Sequence, residues 1–183
     1  PVTVIQMLWI NMIMDTLAGI AFSYEPPLLE YMEEPPKKRE ENIINRYMYG
    51  EILFTGIYSS LLCLFFLKSP LLYSFYRYDV DNKYFMTAFF ALFIFMGIFN
   101  SFNARTNRIN ILANLFQNKV FLFVICFIAI VQIYLIYFGG NLFRSFGLSF
   151  LEFQVTLLLA FTVIPVDWIR KLYLRRKGKN NGV

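Results

Sequence analysis

The chain has 183 residues, of which 58% are hydrophobic, 20% aromatic and 16% charged, with a net charge of +5 and no histidine. That is more apolar surface than a soluble domain of this length can hide, and the absent histidine removes the commonest transition-metal ligand. The two cysteines, Cys63 and Cys126, lie inside apolar runs and form neither a CxxC site nor a disulfide framework.

The sequence opens PVTVIQ, with no methionine, basic flank or small-residue cleavage site, so it does not look like a signal peptide and is expected to be a fragment of a longer protein. Its first apolar run, residues 2–22, contains a carboxylate, Asp15, with Asn11 four positions earlier. At ~1.5 Å per residue the run matches the ~30 Å hydrocarbon thickness, and Asp15, roughly 16 Å before Pro26, falls near its middle. An ionised carboxylate at that depth is costly unless it is paired, solvated or bound to a cation. The spacing places Asn11 and Asp15 on one helix face, offering hard oxygens that suit Ca²⁺, Na⁺ or a proton better than zinc or copper. The pattern alone also allows Asn11 and a protonated Asp15 to serve as hydrogen-bonding glue between helices. Ala18 and Gly19, which let another helix approach, are compatible with both.

A polar loop from Ser23 to Arg46 follows, with acids Glu25, Glu30, Glu33, Glu34, Glu40 and Glu41 around Pro35 and Pro36. It reads either as a solvated linker or as a contact for another domain. Further apolar runs cover residues 47–67, 84–102, 120–138 and 150–169. These lengths fit helices and not barrel strands, so the expected fold is an all-α polytopic membrane helical bundle with five transmembrane helices. The YDVDNKY turn, with Asp79, Asp81 and Asn82, lacks the glycine and distal glutamate of an EF-hand and is expected to be a polar turn. Glu51, Glu152 and Asp167 lie near span ends, where they are expected to reach the interface without a transport role, as are Trp9 and Trp168 as lipid or interface aromatics. Pro165 is expected to kink or end the last helix, and residues 170–183 form a basic tail.

Of the 17 lysines and arginines, thirteen fall on the side that holds the 23–46 loop, the turn near residues 104–119 and the tail. The positive-inside rule then places that side and the C-terminus in the cytoplasm, with the N-terminus outside, which implies helices upstream of residue 1. The positive charge requires a bilayer as partner and no nucleic acid.

The stretch PVTVIQMLWINMIMDTLAGIAFSYEPP resembles the sixth membrane helix of P-type calcium-transporting ATPases, where an L-W-x-N-x-x-x-D run is followed by a proline pair. The likeness continues through EPPLLEYMEEPPKKREENII and FNSFNART to the basic ending, and is nearest to the plasma-membrane type and its bacterial relatives. It implies that residues 1–183 are a C-terminal cation-transporting ATPase membrane domain, the last five helices of a ten-helix pump. It further implies that Asn11 and Asp15 are metal ligands for Ca²⁺ as the transported ion, completed by groups from two helices this chain lacks. Glu30 and Glu33 would touch the cytosolic phosphorylation domain. No glycine-rich phosphate loop and no D-K-T-G segment occurs, so ATP and Mg²⁺ would act only through the parent's cytosolic domains, and the fragment alone would be inert. Two departures from the reticulum-type pump bear on stoichiometry. Met14 stands where that relative has a threonine, and Gly97, before Asn100 and Asn103, stands where it has a carboxylate. The second ion site would then be missing. The alternative expectation is a secondary cation or proton transporter, or a channel subunit, using Asp15; a third is a membrane scaffold.

Overall fold

The computed structural model describes residues 2–26, 46–106, 109–112 and 114–180; Glu30 and Glu33 lie outside them. Its helices are α1 (Val4–Ser23), α2 (Arg46–Lys68), α3 (Pro70–Ser74), α4 (Lys83–Arg105), α5 (Lys119–Phe138), α6 (Gly140–Phe143), α7 (Phe150–Phe161) and α8 (Val163–Asn180). Helices α1, α2, α4, α5 and the α7–α8 pair are five segments long and apolar enough to cross a membrane. Among the described residues there is no strand, and the bundle is all-α as the run lengths require.

Local chemistry sets the helix ends. Thr3 and Gln6 form a capping box at the start of α1, and Ser149 and Glu152 form another at the start of α7. Asn118 caps α5 by accepting the Phe121 amide at 2.8 Å. The expected break near Pro165 falls just ahead of it, at Thr162. Proline has no N–H for the Phe161 carbonyl, so the first ladder closes early, with the Thr162 amide on the Leu159 carbonyl at 3.2 Å. The second helix then continues through Asn180, so the basic segment expected as a tail from residue 170 begins as helix.

Helix α4 is the axis of the bundle. Phe85, Ala88, Phe89, Phe90, Ile94 and Phe95 are all buried, and α2, α5, α7 and α8 pack around it. Phe66 of α2 stacks on Phe85 with 4.8 Å between ring centroids, which locks the peripheral helix to that axis.

The span-end acids are more deeply buried than their positions predict. Glu152 is 1% exposed. Its carboxylate accepts Arg77 Nη2 at 3.0 Å, the Arg77 backbone amide at 2.7 Å and the Ser149 amide at 2.6 Å. This bond holds the Arg77 guanidinium proton still more firmly than usual. Asp167, also 1% exposed, lies between Arg170 Nε at 2.6 Å and Lys171 Nζ at 2.9 Å. Lys171 also donates to the Asn103 and Thr106 carbonyls at 2.9 and 2.8 Å, satisfying the end of α4, while Arg170 reaches Glu51 at 3.4 Å. Burial is tolerated because opposite charge and hydrogen bonds accompany each carboxylate. The turn expected at YDVDNKY is present, with Lys83 paired to Asp79 and Asp81 at 3.7 and 3.2 Å. Tyr76, buried beside Thr156 at 2.9 Å, has its phenol pushed up to about 12 by burial.

Replacing Arg77 with Leu strands a buried carboxylate on backbone donors alone. The expected loss is about 2–3 kcal/mol, below the ~3–5 kcal/mol of a fully buried pair because half of the Arg77 side chain meets solvent. Heating the detergent-solubilised full-length protein and following its monodisperse fraction checks this; an unchanged midpoint contradicts it. The raised Tyr76 pKa favours the neutral phenol in the fold. Its contribution is therefore complete below pH 10 and lost as pH climbs toward about 12. A near-ultraviolet titration should show a late phenolate that appears together with loss of helical circular dichroism and is absent in Tyr76→Phe.

Candidate functional site

Helix α1 is held at both ends and wound differently in the middle. Near its start, Gln6, 2% exposed, donates from Nε2 to the Phe143 carbonyl at 2.6 Å, and Trp9 meets the Phe143 ring edge-on at 6.3 Å. Near its end, Ala21 is buried and its carbonyl accepts Asn118 Nδ2 at 3.1 Å. Glu25, just past the last turn, pairs with Arg105 Nη1 at 2.8 Å and accepts Asn118 Nδ2 at 2.8 Å.

Between these anchors, Ile10–Asp15 is a π-helix flanked by α-helix on both sides. The sequence leads to a continuous α-helix here, and this is where the structure departs from it. A π stretch shifts the ladder from i→i+4 to i→i+5, and such stretches concentrate at functional sites. Asn11 and Asp15 both belong to it and both are exposed. Gly19 continues the exposed side, and a Cβ placed there would meet nothing within 4 Å.

The electrostatics of Asp15 set it apart. Seven acidic side chains are described, and six lie 2.6–3.7 Å from a basic group: Glu25, Glu51, Asp79, Asp81, Glu152 and Asp167. Among the described residues Asp15 has no such partner. Among the described residues it is therefore not locked to an arginine or lysine. The described residues also contain no cluster of three or more His, Cys, Asp or Glu side chains able to hold a metal ion. Asn11 and Asp15 supply at most two or three of the roughly six to eight oxygens that Ca²⁺ takes.

Met14 and Gly97, the two departures singled out in the sequence, face each other. A Cβ built on Gly97 would lie 2.7 Å from Met14 Cε, so the thioether methyl occupies the space a side chain on α4 would take. Asn103, one turn beyond Asn100, donates from Nδ2 to the Val163 carbonyl at 3.1 Å, while its Oδ1 is buried without a partner among the described residues. A cavity of about 540 Å³ between α2 and α4 is lined by Glu51, Thr55, Ser59 and Asn100, and includes neither Asn11 nor Asp15.

Sequence reasoning missed the anchors Gln6, Glu25, Arg105 and Asn118. The available hints were an acid directly before a proline pair and an arginine closing an apolar run. Neither names its partner across 80 and 93 positions of chain.

The family model described as "Cation transporting ATPase, C-terminus" matches residues 1–173. A probable calcium-transporting ATPase 6, plasma membrane-type, of Oryza sativa subsp. japonica is 36% identical over 152 residues, 81% of this chain and 15% of that protein. Calcium-transporting ATPase PAT1 of Dictyostelium discoideum is 30% identical over 195 residues, 100% of this chain and 17% of its own length. Plasma membrane calcium-transporting ATPase mca-1 of Caenorhabditis elegans is 32% identical over 179 residues, 90% and 14% respectively. The chain thus spans less than a fifth of the length of these curated relatives.

The Met14–Gly97 contact predicts coupling between the two positions. Gly97→Leu overpacks the site and should cost about 1–3 kcal/mol, and Met14→Ala should recover part of that loss in the double variant. Thermal midpoints of the four proteins measure the coupling; strictly additive effects would show that the side chains do not meet.

Proposed function

The chain belongs to the cation-transporting ATPase C-terminal family, and from that premise we propose that it is the C-terminal membrane part of an ATP-driven Ca²⁺ pump, with Asn11 and Asp15 forming part of the intramembrane ion site. The observation that carries this reading is the carboxylate of Asp15, alone among the described acids in lacking a basic partner, exposed from the π-helical middle of a lipid-length helix. A cation supplies the compensation that the bundle gives every other described acid. The Asp15 carboxylate and the Asn11 carbonyl are hard oxygens, which suit Ca²⁺. The remaining ligands come from helices of the parent outside this chain. Calcium as the ion is supported by what the relatives are called. ATP and Mg²⁺ act in the parent's cytosolic domains, and the 23–46 loop meets those domains through Glu30 and Glu33.

The basic end of the bundle, with Arg105, Lys119, Arg170 and Lys171, lies in the cytoplasm by the positive-inside rule, and the C-terminus lies there with it. One cation moves per cycle. Support comes from Met14 and Gly97: where a second site would need oxygens, a methyl group fills the space over a residue with no side chain. The relatives found are ATPases, and none favours a secondary transporter.

The test uses the complete pump and follows calcium-dependent phosphoenzyme formation from ATP. Asp15→Asn and Asn11→Ala should each raise the half-saturating calcium about 10- to 100-fold, the ~1.5–3 kcal/mol lost with one charged or strongly polar ligand. Phosphoenzyme formed from inorganic phosphate without calcium should persist in both. Wild-type calcium dependence in both variants removes these residues from the site.

A further inference from the structure

We infer that Glu25 is a positioning residue for the ion helix: its carboxylate, gripped by Arg105 and Asn118, sets where Asn11 and Asp15 stand along the bundle and thereby the affinity of the cation site. This rests on the proposed role of Asn11 and Asp15.

Glu25 moves with α1 because its amide donates to the Phe22 carbonyl at 3.1 Å, closing a last turn after Ser23. Both carboxylate oxygens are engaged, Oε1 by Arg105 Nη1 and Oε2 by Asn118 Nδ2, each at 2.8 Å. The two partners belong to neighbouring helices, Arg105 at the end of α4 and Asn118 at the start of α5. The Arg105 side chain is 0% exposed; its Nη2 donates to the Ile111 carbonyl at 3.0 Å and its guanidinium stands 5.7 Å from the centre of the Phe121 ring. A guanidinium so enclosed needs the carboxylate, and the pair is felt far more than a surface ion pair. Asn118, 2% exposed, joins the Ala21 carbonyl at the end of α1 to the Phe121 amide at the start of α5. One side chain thus terminates the ion helix and initiates its neighbour.

The mechanical path from this clamp to the ion ligands is short. Residues Thr16–Ser23 between them are regular α-helix, which is stiff along its axis, at ~1.5 Å per residue. A displacement of Glu25 is therefore delivered to Asp15, where the winding changes to π. Ligand groups need placement within about 0.5 Å, so a slip of one hydrogen-bond length at the clamp suffices to spoil the site.

The experiment uses the full-length pump with Glu25→Gln, Arg105→Lys, their double variant, and Asp15→Asn as reference. Three quantities are read: half-saturating calcium for phosphoenzyme formation from ATP, the phosphoenzyme level from inorganic phosphate without calcium, and the thermal midpoint. Glu25→Gln and Arg105→Lys should each raise the half-saturating calcium roughly fivefold or more, because the first removes the charge that Arg105 meets and the second cannot span both Glu25 and the Ile111 carbonyl with a planar guanidinium. The double variant should be no worse than the worse single, and the phosphate-derived phosphoenzyme should be retained. Wild-type calcium dependence for Glu25→Gln, with Asp15→Asn impaired, overturns the inference and leaves the ion site standing. Equal loss of both phosphoenzymes with a lowered midpoint in both single variants also overturns it, since the clamp would then only staple the fold. Normal calcium dependence in Asp15→Asn sinks the site itself, and this inference with it.

Discussion

Charge compensation inside an apolar slab is the constraint on which this bundle is built. Helices of lipid length gain nothing from one another by hydrophobic burial alone, since lipid tails are as apolar as their side chains. Specific polar contacts choose the partners. Glu152 with Arg77 ties α7 to the connection before α4, Lys171 on the Asn103 and Thr106 carbonyls ties α8 to the end of α4, and Arg105 with Glu25 ties α1 to it. Each of these contacts would be expensive to break, because a buried charge would be left behind. Asp15 stands outside this pattern among the described acids, and that exception is what the proposed ion site rests on.

The axis helix contributes by what it omits as well as by what it packs. Along α4, phenylalanines fill the contacts with α2 and α7, as Phe85 and Phe95 do against Phe66 and Phe153. At Gly97 the side chain is absent, and Met14 of α1 reaches into the gap. A flexible thioether suits an irregular space, and its methyl carries no useful oxygen. The two positions therefore answer one another sterically, which explains why a methionine can sit directly beside the acid without leaving a void.

Much of this architecture is written in run lengths. Five apolar segments, a carboxylate four positions from an asparagine, and a proline near the end of the last span are local features, and the helices appear where those features put them. Even the break at Thr162 follows from a missing amide three residues later. What the sequence concealed depends on pairings across the fold. Nothing about their places near span ends shows that Glu152 and Asp167 are only 1% exposed, which requires Arg77 from a separate segment for the first and Arg170 and Lys171 one turn along the same helix for the second. The π winding at Ile10–Asp15 was equally hidden. Nothing in INMIMD disfavours an α-helix strongly, so the change in winding could not be read from it.

A rod fixed at both ends cannot tilt or slide without breaking a buried polar contact at one of them. For α1 those contacts are Gln6 on the Phe143 carbonyl and Glu25 on Arg105 and Asn118. Both would leave a desolvated donor or charge if broken, so adjustment falls to the segment between them. The π stretch is the natural place for it, because its hydrogen-bond pattern already differs from the α-helix on either side and its polar side chains are uncovered. In the role proposed for α1, the fixed ends set where Asn11 and Asp15 stand, and the π-wound segment between them is where their positions adjust.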